Sequence, residues 1–468
     1  MEMTSFFGGS LIMSALESSK ATENNNNEPP LAKGLPIIGS AASLFNSPVE
    51  FLREQHKLHG PVFKFKAMHK TMTVLAGKEI NRFMAGEGRD YFTSEVTWGR
   101  LRDGLKSPHL MIAVDGDAHA YQRKLLKGQF SKAAFKERLN LLVDPIESTL
   151  QSIEDGDEVH VGPFLRNIVC RQIGLAVQGV EVNTQQTEDF MTTQNTYLNV
   201  FMIGKWPKLT LLSPKFVFSA LRTGKLLKKV REENTNRCPA DKTSVTYMDK
   251  IEQGVQERPD LYTENDVRTI SMLPFVGGVD PIGGTISFIL YRLLQDDELR
   301  QRVVEEVDRV LLEAPLNFDS IDRLVDVRGL VMETMRVNPV AYAMARTATK
   351  EFDFGGYTIR KGDELMVFTV ANHWEESFFP NPEKFDIERY REPRNEHKNG
   401  AIYAPFGRGP HTCIAAGLAE MHTVINVAML LRYLDFEAAV PLEKVKIKYI
   451  PAPFMSENFK IRFTRRKI

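Results

Sequence analysis

Cys413 carries the most chemistry of any residue in the chain. It sits in Phe406-Gly407-Arg408-Gly409-Pro410-His411-Thr412-Cys413-Ile414-Ala415, followed by a helical pattern from Ala416 to Leu431. Glycines upstream let such a loop bend tightly around a sulfur and aim backbone N–H groups at it. The adjoining helix N-terminus favours negative charge. A thiolate stabilised in this way is a metal ligand or a nucleophile.

A nucleophilic cysteine needs a histidine base that is itself oriented by a third group. His411 is near in sequence, but it follows Pro410 in a loop, and no Asn or Asp orienter stands out. A single thiolate on haem iron needs different parts. These are cations for two propionates and open space on the opposite face for dioxygen or substrate.

The ten residues around Cys413 resemble the haem-ligand loop of the cytochrome P450 (haem-thiolate) superfamily. Phe406, Gly409, His411, Cys413 and Ala415 occupy that loop's marked positions. The histidine variant, followed by Gly417-Leu418-Ala419, is closer to soluble bacterial-type members. The resemblance covers residues 31 to 468. It implies a mainly α fold with a small β region, the triangular helical haem domain. It also implies haem b, with Cys413 as the axial iron ligand and Phe406 and Gly407 beside the ring.

Other parts fall in the family's order. His119 and Arg123, four apart and so on one helical face, precede Phe130-Ser131 as the family's propionate cations do. Arg346 and His411 match two further propionate donors. Glu333-Thr334-Met335-Arg336 matches the family's Glu-x-x-Arg. Arg389, in Phe385-Asp386-Ile387-Glu388-Arg389-Tyr390, would complete a structural Glu-Arg-Arg cluster. The bare pattern also occurs at Glu50/Arg53, Glu306/Arg309 and Glu388/Arg391, where a solvated helix or loop is expected.

The family's oxygen-activating helix matches Gly277-Gly278-Val279-Asp280-Pro281, with Pro281 in place of the usual threonine. Gly278 would let the backbone approach bound oxygen, and Asp280 would relay protons. Thr285, one turn on, is a substitute hydroxyl. Proline lacks an N–H and clashes with the carbonyl four residues back, here Gly277, so the helix is expected to open there.

The elements that must position these residues are visible in the pattern. Val62–Phe65 and Thr71–Leu75 read as strands. Ala118–Gln129 reads as a basic helix, and Glu298–Leu312 has helical periodicity. Phe354–Ile359 and Glu364–Val370 read as a hairpin around Arg360-Lys361-Gly362-Asp363. Leu35-Pro36-Ile37-Ile38-Gly39 is an apolar turn suited to pin the start of the fold. Residues 1–30 read as a disordered tail and 31–468 as one haem domain.

The chain has 468 residues, with 60 basic and 60 acidic side chains. That balance gives no argument for nucleic acid. Cys170, Cys238 and Cys413 make neither a disulfide framework nor a paired zinc motif. No run of 18 or more apolar residues suggests a spanning segment. A cytoplasmic monomer follows, with at most weak peripheral membrane association through Phe6–Leu16.

The resemblance implies a monooxygenase that places one atom of O2 into a lipophilic substrate of terpenoid, steroid or polyketide type. Trp98, Leu101, Leu105 and Met111, in the variable stretch 91–114, supply apolar lining. Electrons would come from a separate ferredoxin or flavoprotein reductase with NAD(P)H, docking near Arg123, Lys124, Lys127 and Arg408. Pro281 keeps open a P450-fold isomerase, dehydratase or peroxide-driven enzyme. A haem-binding protein without catalysis is the third reading.

Overall fold

The computed structural model describes residues 28–236, 245–312 and 315–467. Residues 1–27 of the expected tail, the Phe6–Leu16 segment and Cys238 lie outside them.

The β region is one five-stranded sheet and smaller pieces. Strands β1 (Val62–Ala67) and β2 (Lys70–Ala76) form the expected antiparallel pair. Strands β3 (Phe92–Thr93), β4 (Met344–Ala348) and β5 (Glu364–Phe368) complete the order β1-β2-β5-β4-β3. Strand β5 runs parallel to β2 and antiparallel to β4. The expected hairpin is therefore corrected. Phe352–Phe354 pairs with Tyr357–Ile359 instead, around Gly355 and Gly356, both at positive φ. A two-glycine turn supplies that backbone without strain, so it closes the hairpin and leaves β5 to the large sheet.

The turn at Leu35–Gly39 is built against β1, through Ser40 N–H to the Lys66 carbonyl at 2.7 Å. Leu35 and Ile37 of this turn stay exposed, at 59% and 91%, and do not pack inward.

The helices that frame the site are α1 (Glu95–Leu105), α2 (Gly116–Lys127), α3 (Val161–Ile173), α4 (Thr184–Tyr197), α5 (Glu264–Leu293), α6 (Asp297–Leu312), α7 (Val325–Val337) and α8 (Ala416–Tyr433). The longest, α5, begins at a capping box. Thr263 Oγ1 accepts from the Asp266 N–H, and Asp266 Oδ2 accepts from the Thr263 N–H, which satisfies two otherwise orphaned donors. It packs on α3, α7 and α8.

By length and composition α5 could cross a membrane, but 72% of its apolar window is buried. It is the core helix, and the search for an unbroken apolar run missed it because charged and glycine residues interrupt it. The expectation that Pro281 opens this helix is also corrected. The helix runs unbroken through Pro274 and Pro281, because packing on α3, α7 and α8 holds it.

Glu306 departs from its expected solvated setting. On α6 it is buried and accepts the N–H groups of Val325, Asp326 and Val327 at 2.8–2.9 Å. It thus satisfies the free donors at the start of α7.

Candidate functional site

The loop before α8 folds back on itself. Cys413 N–H donates to the Phe406 carbonyl at 2.9 Å, and Thr412 N–H donates to the Gly409 carbonyl at 3.0 Å. Gly407 and Gly409 have φ of 72° and 82°. A Cβ on Gly409 would stand 2.8 Å from the Met84 carbonyl oxygen, so glycine is required twice over. The Cys413 side chain is exposed. Even so, burial pushes its thiol pKa up, against the Ala415 N–H and the Arg123 charge. Cys170 is buried in the core.

Cations gather beside this loop. The His119 and His411 rings stack with centroids 3.9 Å apart. His411 Nε2 lies 2.7 Å from Asp115 Oδ1, while Asp115 Oδ2 accepts from Thr93 Oγ1 and the Ser94 N–H at 2.6 and 2.8 Å. Burial would raise the Asp115 carboxyl, but these partners hold it at about 2. Burial, then the charges of His411 and Arg123, push His119 down to about 3. Arg346 is 5% exposed. Its guanidinium donates to the Ala345 carbonyl at 2.7 Å, and it has no ion pair among the described residues. Burial lowers its pKa to about 10, opposed by Asp115.

Behind the loop, Glu333 on α7 is fully buried. It accepts from Arg336 Nε and Nη2, each at 2.8 Å, from Arg389 Nε at 3.2 Å and from Tyr390 OH at 2.7 Å. The Asp386 N–H adds a further bond at 2.9 Å. The remaining guanidinium N–H groups reach the carbonyls of His373, Pro380, Asn381 and Pro382. Both arginines are buried and hydrogen-bonded, the condition under which buried charge is tolerated. The cluster ties α7 to the segment 380–390.

Along α5, Gly278 faces α3, where an added Cβ would meet Ile173 Cδ1 at 2.5 Å. Gly283 faces Phe454 and Leu165 in the same way. At about 100° per residue, Gly277 and Pro281, four residues apart, share a side of the helix. A Cβ on Gly277 meets nothing within 4 Å, and Gly277 is exposed within this buried helix. The glycine on the open side is thus Gly277, and Gly278, the expected one, is corrected to a packing position.

Asp280, 2% exposed, is engaged by protein. Arg166 Nε donates to Oδ1 at 2.7 Å and Gln194 Nε2 to Oδ2 at 3.1 Å. The Thr285 hydroxyl donates to the Pro281 carbonyl at 2.9 Å.

The model of the family described as Cytochrome P450 matches residues 29–463. The chain belongs to the cytochrome P450 family. It is 23% identical to mouse lanosterol 14-alpha demethylase, over 94% of this chain and 88% of that protein. It is 24% identical to beta-amyrin 16-beta-monooxygenase of Platycodon grandiflorus, over 93% and 92%. The structure of retinoic acid bound cyanobacterial CYP120A1 superposes with a TM-score of 0.79 at 20% identity, over 94% of this chain and 99% of that one.

This cytochrome P450 is therefore a haem-thiolate oxidoreductase of the monooxygenase class, with haem b as cofactor. The residues present fit that group. The Cys413 thiol is accessible. The buried Arg346 has no carboxylate partner among the described residues, the Arg123 charge reaches the Cys413 thiol, and both arginine charges reach His119. A buried cation without an anion is unfavourable, and two propionates supply that charge.

The sequence reading missed Asp115, Arg166 and Gln194, which hold His411 and Asp280. Asp115 had a signal, as an acidic residue just before a helix. Arg166 and Gln194 had none.

Proposed function

We propose that this cytochrome P450 is a cytoplasmic monomer that oxygenates a lipophilic substrate of terpenoid, steroid or polyketide type. A separate ferredoxin or flavoprotein reductase supplies electrons from NAD(P)H. The observation that carries the substrate class is an apolar cluster joining α1 to the open side of α5. Leu101, Leu110 and Ala113 are buried there, with Trp98, Phe201 and Leu273 half-buried against them. Such walls, with few polar groups, select shape and apolarity. Two relatives are named for lanosterol and beta-amyrin, which agrees with a terpenoid or steroid.

The haem, held by Cys413 and by the propionate cations His119, Arg123, Arg346 and His411, supplies dioxygen activation when bound. The chain's own residues do the rest. Asp115 fixes the orientation of His411. The Glu333–Arg336–Arg389 cluster holds the segment behind the loop rigid. Gly277 leaves space for substrate, and Asp280 is the carboxylate of α5 that relays protons. Exposed Lys124 and Lys127 on α2 present positive charge to an acidic redox partner.

Pro281 favours a second reading. No threonine hydroxyl stands at that position, and the hydroxyl of Thr285 is bonded to the backbone. A peroxide-driven enzyme, isomerase or dehydratase needs no relay to a redox cycle. Turnover with ferredoxin, its reductase and NADPH, but none with hydrogen peroxide or an organic hydroperoxide, supports the monooxygenase. The reverse pattern overturns it. Loss of the red-shifted ferrous–CO band in Cys413→Ser, but not in Cys170→Ser, tests the axial ligand.

A further inference from the structure

Helix α5 contains two prolines, Pro274 and Pro281, two turns apart. Each removes the N–H that would bond the carbonyl four residues earlier. At Pro274 the protein repairs the loss, for Tyr247 OH donates to the Ile270 carbonyl at 3.2 Å. At Pro281 it does not. No side chain among the described residues donates to the Gly277 carbonyl. The polar groups nearest in sequence are committed elsewhere, Asp280 to Arg166 and Gln194, and Thr285 to the Pro281 carbonyl. A Cβ added to Gly277 would meet no atom within 4 Å.

A carbonyl that has lost its helical N–H partner, beside the half-buried Leu273, Val276 and Pro281, is a hydrogen-bond acceptor in an otherwise apolar stretch of the helix. Leaving it unpaired under a bound hydrocarbon is unfavourable. Filling it with an O–H is favourable, and no side chain among the described residues does so. We propose that the Gly277 carbonyl accepts a hydroxyl of the substrate, so that the substrate is a lipophilic alcohol rather than a hydrocarbon or ether. This rests on the reading of the open side of α5 as the substrate space, and it narrows the substrate class. Pro281 then acts as a specificity residue, keeping the carbonyl free. Pro281→Ala restores an N–H to the helix and removes the acceptor.

The test uses the haem-loaded protein and three matched pairs: dodecan-1-ol, farnesol and cholesterol, each against its methyl ether. Dissociation constants come from spin-state titration and, independently, from equilibrium dialysis. In the wild type the alcohol of at least one pair should bind roughly tenfold more tightly than its ether, the scale of one hydrogen bond to an otherwise unpaired group. In Pro281→Ala the preference should fall to about threefold or less. In Pro274→Ala, where Tyr247 already serves the carbonyl, it should persist.

Equal behaviour of both members of every pair in the wild type, including no binding by either, overturns the proposal and assigns the carbonyl to water. A preference unchanged in Pro281→Ala overturns it too. Failure here is separable from failure of the monooxygenase reading, which is decided by NADPH-dependent turnover and not by the alcohol-to-ether ratio.

Discussion

Arg166 and Asp280, far apart in sequence, meet at 2.7 Å between Nε and Oδ1, and Arg166 also lies over the Phe454 ring at 4.4 Å. The carboxylate that the family pattern marks for proton movement is thus anchored to α3, with α4 holding its second oxygen through Gln194. Asp280→Asn keeps the shape but removes the proton-accepting charge. Turnover should fall about a hundredfold or more, the scale for positioned acid–base groups. The solvent isotope effect should rise, which loss of packing alone would not produce. Unchanged turnover removes Asp280 from the relay.

Glu333 anchors the region behind the thiolate loop. Glu333→Ala strands two buried guanidiniums and Tyr390 OH without their acceptor. Breaking a buried pair costs about 3–5 kcal/mol, a large share of a domain's total stability. The variant should yield little soluble haem-containing protein, and its urea midpoint should drop sharply. A midpoint within error of the wild type would show that the cluster is dispensable.

Much of this site was legible because its parts are local. The Cys413 loop, the four-residue spacing of His119 and Arg123, and the Glu333–Arg336 pair are each set within one turn or loop. What joins them is not local. Asp115 reaches His411, Arg166 reaches Asp280 and Glu306 caps α7 through tertiary packing, which leaves no periodic trace in the chain. The hairpin was misplaced for a related reason. Two turn sequences stood close together, and only the partner strands β2 and β4 decide that Glu364–Phe368 leaves its neighbour. Gly278 and Gly277 look alike in sequence, and only α3 tells them apart.

Arg346 should separate haem binding from folding. Its buried charge has no carboxylate partner among the described residues, and burial already lowers its pKa to about 10. Replacing it with a methionine removes a charge whose desolvation opposes folding. Arg346→Met should therefore leave the haem-free protein as stable as the wild type or more so, while haem is lost faster to a competing apo-globin. A variant destabilised in the haem-free state, with haem retention unchanged, would assign Arg346 to the scaffold instead.

Acid should weaken the fold through buried neutral histidines. His373 donates from Nδ1 to the Arg336 carbonyl at 3.0 Å, and its Nε2 accepts from the Ala404 N–H at 3.1 Å. A proton on Nε2 would set two donors against each other. Burial pushes His373 to about 3, and it does the same to His422, which bonds Gln172 Oε1 at 2.7 Å. In the unfolded chain these rings take protons near pH 6.5. Between about pH 6.5 and 3 the unfolded state therefore holds more protons, so stability rises with pH across that window and is lost as pH falls. Urea midpoints should decline steadily from pH 7 to pH 5. His422→Gln, which keeps a donor toward Gln172, should flatten part of that decline, and an identical slope in the variant would clear His422 of any share in it.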